Sequence, residues 1–312
     1  MRAGAEKSHE RAEWLAAPER GSMCLLRLMA IASLRLGRTL SRVALYPIAA
    51  YFFLFAPRAR RHSRRYLRLA LGRRPTTRDR FRHLLYFAST IHDRVYWSHA
   101  REDLFQISVE GAAPMRARAA AGEGALLLGA HLGSFEAVGS IGRQVPGLRI
   151  LMAMYEENAR KISGTMSAIN PAVAADIIPL GRVDAMLAIS ERLREGYFVG
   201  VLGDRTLAQE PMQAVTLLGE RAYLPTGPMR LAAILGCSVM FMAGLYRGAN
   251  RYHVLFAPLA DFSRVDRAGR DAAVAAAIDR YAALLDSCCR SDPYNWFNFY
   301  DFWRAGADRG DR

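Results

Sequence analysis

The chain has 312 residues, 52% of them hydrophobic, and its 43 Lys and Arg against 29 Asp and Glu give a net charge of +14. That length and apolar share suffice for a full α/β core and exclude a disordered or fibrous chain. The excess charge is all N-terminal: the first 82 residues hold 19 basic and 5 acidic side chains, whereas the last 230 hold 24 of each.

The opening stretch, through Gly21, mixes charges and has no apolar run directly after a basic start, so it does not read as a cleavable leader. From Met23 to Leu36 an apolar run is broken by Arg27 and Arg35, which predicts an amphipathic helix with a narrow basic edge. Val43 to Ala56 is uncharged and rich in aromatics, but at 14 residues it is short of the roughly 20 needed to cross a bilayer. Eleven arginines and one acid follow between Pro57 and Arg82. Two readings fit this order: an interfacial anchor or hairpin held by anionic headgroups, and a buried helix followed by a solvated basic one. Attraction of arginines to the anionic leaflet, about 1 kcal/mol each, favours the first. Nucleic acid is not an expected partner, since no zinc-finger or RNA-binding pattern accompanies the charge.

Beyond Arg82 the pattern becomes globular. Helical periodicity over His83 to Ala100 leads to a strand near Leu104 to Gly111, a helix near Ala113 to Ala121 and a strand at Ala125 to Ala130. Helices are then expected at residues 135–144, 158–170, 183–196 and 227–236, and strands at 149–154, 176–180 and 197–204. Two more strands, 238–246 and 252–259, precede a long helix from about Ala268 to Arg290. Alternation at these lengths predicts an α/β fold, a mixed, largely parallel sheet flanked by helices, with an N-terminal membrane-associated helical segment. The chain is expected to divide into a polar tail (1–22), a hydrophobic and arginine-rich docking segment (23–82), an α/β domain (83–304) and a polar tail (305–312).

The stretch "GAHLGSFEAVG", Gly129 to Gly139, carries the chemistry. His131 follows an apolar strand, Gly133 and Ser134 suit a tight turn, and Phe135 opens a helix, so the imidazole should emerge at the carboxyl end of a strand, where α/β sheets bind ligands. Glu136 could bend back to accept the Nδ1 proton, leaving Nε2 as a general base, while the turn amides hold an oxyanion. The alternative is a turn whose histidine merely caps and whose Glu136 favours the helix dipole. Other chemistries lack their patterns. There is no HExxH and no CxxC for a metal, no GxGxxG for a dinucleotide and no GxSxG elbow, and adjacent Cys288 and Cys289 read as a buried helix face.

With "HLGSFE" at His131 to Glu136, "GRVDAMLAISERLREGYFVGVLGDR" at residues 181–205 and "LPTGPMRLAAILG" at 224–236, the chain resembles the bacterial lipid A biosynthesis (late) acyltransferases, whose signature is a histidine, four residues and an acid. The resemblance implies a glycerolipid-acyltransferase-like α/β domain on the cytoplasmic face of the bacterial inner membrane. It also implies transfer of a fatty acyl group from an acyl thioester, on acyl carrier protein or coenzyme A, to a hydroxyl of a membrane lipid or glycolipid. No cofactor or metal is expected beyond the thioester co-substrate. His131 and Glu136 are the expected catalytic residues, with Arg182, Asp204 and Arg205 as substrate-binding candidates; Asp204 and Arg205, at a strand end, could instead orient active-site groups or pair with each other on a loop. The tail "DPYNWFNFYDFW", Asp292 to Trp303, is similar to an offshoot associated with aryl polyene and related lipid pathways, and its rings are expected to pack as a helix or line an acyl channel. The competing expectation is a non-catalytic membrane-surface scaffold or lipid-binding pseudo-enzyme.

Overall fold

The computed structural model describes residues 23–145, 147–155, 164, 169, 177–180, 183–205 and 210–303. The polar tails, the helix expected at 158–170 and Arg182 lie outside them.

An N-terminal helical layer comes first. Helix α1 (Met23–Ser41) is interrupted at Gly37, whose φ of 76° departs from helical geometry. Helix α2 (Leu45–Phe55) continues it, and α3 (Pro57–Leu71) starts at a proline and stops at Gly72 in the left-handed conformation. Helix α4 (Thr77–Trp97) opens with a reciprocal cap: Asp79 N donates to Thr76 Oγ1, and the Asp79 carboxylate accepts from Thr76 N. The boundary expected at residue 82 falls inside α4. Burial recurs along α1 and α2 at Ala30, Ser33, Arg38, Ser41, Leu45 and Ala49, a narrow stripe of mostly small or polar residues turned to the body. At its centre Arg38 makes a bidentate pair with buried Asp93 at 2.8 Å, and Tyr252 Oη donates to the same carboxylate. Removing one member of such a buried pair typically costs about 3–5 kcal/mol, so this docking is not incidental.

The α/β body follows: β1 (Gln106–Glu110), α5 (Ala112–Ala120), β2 (Ala125–Gly129), α6 (Phe135–Gln144), β3 (Arg149–Tyr155), β4 (Ile177–Leu180), α7 (Val183–Arg194) and β5 (Tyr197–Leu202). An antiparallel hairpin, β6 (Met212–Leu217) and β7 (Glu220–Pro225), precedes α8 (Gly227–Leu235), β8 (Ser238–Tyr246), β9 (Arg251–Asp261) and α9 (Arg270–Ser291). Seven strands form one sheet in the order β1-β9-β8-β2-β5-β3-β4, parallel at every junction except β8 with β9. The expected mixed, largely parallel sheet flanked by helices is therefore present.

Strand alternation sends residues to opposite faces, and both are covered. Leu126 and Leu128 of β2 and Phe241 of β8 pack with Tyr66 of α3, Met229 of α8 and Tyr281 of α9. Leu127 of β2 and Met240 of β8 pack with Val95 of α4, Met115 of α5 and Ile141 of α6. The tail from Asp292 to Trp303 is not the helix expected of it. It crosses the body as an irregular strap, with Trp296, Phe297, Phe302 and Trp303 buried.

Candidate active site

β2 and β5 are adjacent and parallel, with Gly129 opposite Leu202, so the residues just past their carboxyl ends meet. Gly203 N donates to Gly129 O at 2.9 Å and continues the ladder one step. His131 and Asp204 then face each other, the imidazole Nδ1 lying 2.8 Å from Asp204 Oδ1 while His131 N donates to Oδ2 at 3.0 Å. Two side chains of the strap complete the carboxylate's shell: Trp296 Nε1 and Asn298 Nδ2 donate to Oδ2 at 3.0 and 2.8 Å.

Burial by itself would raise the Asp204 pKa, but the charge and hydrogen bond of His131 and the field of Arg205 hold the carboxyl well below its ordinary value. It is therefore an anion in a dry site with four donors. His131 is lowered from its ordinary pKa by burial and then by Arg205, with Arg94 adding to the fall and Asp204 opposing it. A neutral imidazole whose Nδ1–H is held by a carboxylate presents a lone pair on Nε2. No described residue bonds that nitrogen, and 30% of the side chain is exposed.

The Nδ1 partner differs from the one the sequence suggests. Glu136, on the first turn of α6, forms an ion pair with Arg94 of α4 at 2.7 Å and accepts from Ser134 Oγ at 2.9 Å. Asp204, expected to touch substrate, is instead fully buried behind the imidazole. Arg205 is turned to the strap, donating to Asn298 Oδ1 and Phe297 O and lying over the Tyr300 ring.

The turn itself is fixed by its glycines. Gly133 has φ of 73°, and a methyl group there would run into the carbonyl oxygen of Gly244 on β8, while one on Gly244 would run into Ser134 O. This close approach lets Ser134 N donate to Gly244 O, and Gly133 N donates to Asn295 O of the strap. Those two amides, expected to hold an oxyanion, are already used. Phe297 N donates to His131 O at 2.8 Å, so the strap grips both sides of the turn. Ser134 also caps α6 by accepting from Ala137 N.

Sequence reading missed Arg94, Gly244, Asn295, Trp296 and Asn298 as parts of the site. Asn295 and Asn298, two amides among aromatic residues, were the available hint. Among the described residues no three His, Cys, Asp or Glu side chains come together in a way that could hold a metal.

A family model for bacterial lipid A biosynthesis acyltransferases matches residues 15–305 of the chain. No curated protein matches it.

Proposed function

Because the chain belongs to the bacterial lipid A biosynthesis acyltransferase family, we propose that it moves a fatty acyl group from an acyl thioester to a hydroxyl of a membrane lipid or glycolipid, with His131 as general base. The observation that carries this reading is the contact of His131 Nδ1 with Asp204, which keeps the opposite nitrogen unprotonated. Nε2 takes the proton of the acceptor hydroxyl as its oxygen attacks the thioester carbonyl. The tetrahedral oxyanion then collapses, the carbon–sulfur bond breaks, and the imidazolium returns the proton to the departing thiolate. No acyl-enzyme forms. Asp204 fixes the tautomer and stabilises the imidazolium. Arg94 and Arg205, whose charges already act on His131, favour the developing oxyanion. Glu136 balances Arg94 and sets the Ser134 hydroxyl, as a positioning residue.

The exposed apolar surface of α1 and α2 and the arginines after it support docking on the cytoplasmic leaflet of the inner membrane, so that the acceptor enters from the bilayer and acyl carrier protein or coenzyme A thioester from solution. No single described helix is long and apolar enough to span; α1 and α2 pass only together with α3, across a 96° bend.

The test is an incubation of purified protein with acyl thioesters of both carriers and a total lipid extract, read by mass spectrometry. A new ester-linked chain is expected, and His131→Ala should lower its rate by about 10²–10⁴-fold. Undiminished transfer by that variant, or no product with any thioester, overturns the assignment, the second outcome favouring a scaffold.

A further inference from the structure

At the inner corner where α2 gives way to α3, and against the first turn of α4, lies a cavity of about 420 Å³. Four guanidiniums line it, those of Arg60, Arg61, Arg64 and Arg80, together with the Phe53 ring and Thr77. Neighbouring arginines of the same segment are neutralised: Arg65 by Glu220 and Asp301, Arg73 by Asp79. No described carboxylate pairs with any of the four around the cavity. Two of them are held in place, since Arg60 donates to Phe53 O at 2.7 Å and Arg80 to Thr77 Oγ1 at 3.0 Å. Their guanidiniums lie 5.5 and 5.7 Å from the Phe53 centroid.

Four like charges around one space repel one another until an anion enters. A phosphate monoester fits that demand, because it carries about −1.5 to −2 charge at pH 7 and three acceptor oxygens for the guanidiniums. The cavity's surroundings say where that phosphate comes from. Tyr51, Phe52, Leu54 and Phe55, in the last turns of α2, are exposed beside it. If those side chains enter the hydrocarbon edge, the arginines stand at the depth of the headgroups. We propose that this cavity binds the phosphate monoester of a membrane lipid headgroup. The inference rests on the membrane docking proposed above and not on the chemistry at His131.

The full-length protein is to be sedimented with vesicles of phosphatidylcholine alone, or containing phosphatidic acid or phosphatidylglycerol at matched surface charge. Wild type should bind the phosphatidic acid vesicles at least about fivefold more tightly than the phosphatidylglycerol ones, and inorganic phosphate at constant ionic strength should erase that margin. Arg61→Gln with Arg64→Gln, both exposed positions, should abolish the preference. Arg264→Gln with Arg267→Gln, the same charge change on a distant exposed loop, should keep it. Arg80→Gln gives a second variant that leaves α3 untouched, with circular dichroism confirming the fold of each. Equal losses in the two double variants, or no monoester preference in wild type, would overturn the site while leaving docking intact. Calorimetric binding of inorganic phosphate without any vesicle preference would overturn the lipid assignment in favour of a soluble phosphate. Failure to bind any vesicle would remove the docking reading as well.

Discussion

Asp204 stands 73 residues from His131 in sequence and 2.8 Å from it in space. The sequence displays only the acid five positions on, so Glu136 is the partner a linear reading finds. The parallel pairing of β2 with β5 exchanges that local acid for a distant one. Asp204 was legible as a strand-end residue that could orient active-site groups; that the group is His131 was not, because strand order is not written in periodicity. Asp204→Asn should be far more damaging than the loss of one charge implies. The amide would donate to Nδ1, forcing the proton onto Nε2 and removing the base, while Trp296 and Asn298 still require an acceptor. A fall in kcat of about 10⁴-fold with little change in KM is expected, and a variant within tenfold of wild type would disqualify Asp204. Because burial and the two arginines lower the His131 pKa, the acid limb of kcat/KM should have its midpoint below 6.5, the ordinary histidine value, with a plateau at neutral pH.

Among elements, the strap from Asp292 to Trp303 was the least legible. Its rings follow neither a helical nor a strand period, and its conformation is set by what it holds. Trp296 packs on Tyr66, Phe302 and Trp303, and its carbonyl lies 2.9 Å from buried His83 Nε2, whose Nδ1 lies 2.9 Å from Ser63 Oγ. Helices α3 and α4 thus reach the candidate base through one tryptophan. Burial pushes the His83 pKa down to about 4, partly offset by its bond to Trp296 O. The unfolded chain takes up this proton near pH 6.5, whereas the folded one resists until about 4. Stability from His83 is therefore complete above pH 6.5 and is lost as pH falls toward 4, by up to about 3 kcal/mol. Denaturant melts of wild type and His83→Gln at pH 7 and pH 4.5 check this: the variant should lose less on acidification, and parallel losses would refute it. The β2–α6 turn, by contrast, was legible through Gly133, although the opposing glycine on β8 was not. Gly133→Ala should combine left-handed strain with a backbone clash, costing activity and lowering the unfolding midpoint, as thermal denaturation would show.

At the scale of the whole molecule, the division of charge and apolarity was visible from the start, while its relation to the fold was not. A helix of a soluble domain usually buries its wide apolar face; α1 and α2 instead bury a narrow stripe through Arg38, Ser41 and their neighbours and leave Leu28, Ile31, Leu40 and Tyr46 outside. The arginines also do more than the sequence suggests, since Arg38, Arg42, Arg65 and Arg73 are engaged within the protein and only part of the positive charge remains for a membrane. The docking proposed above would then depend substantially on apolar contact. Leu54 and Phe55, 62% and 61% exposed at the end of α2, make the sharpest test because replacing them leaves the buried stripe intact. Each side chain transferred from water is worth about 1.5–3 kcal/mol, so Leu54→Glu with Phe55→Glu should weaken binding to mixed neutral and anionic vesicles by at least about 100-fold. Turnover of an acceptor presented as monomers below its micellar concentration should survive, because His131, Asp204 and the strap are untouched. Normal vesicle binding by this variant would show that the exposed face of α2 does not meet the bilayer, whatever the fate of the acyl-transfer assignment.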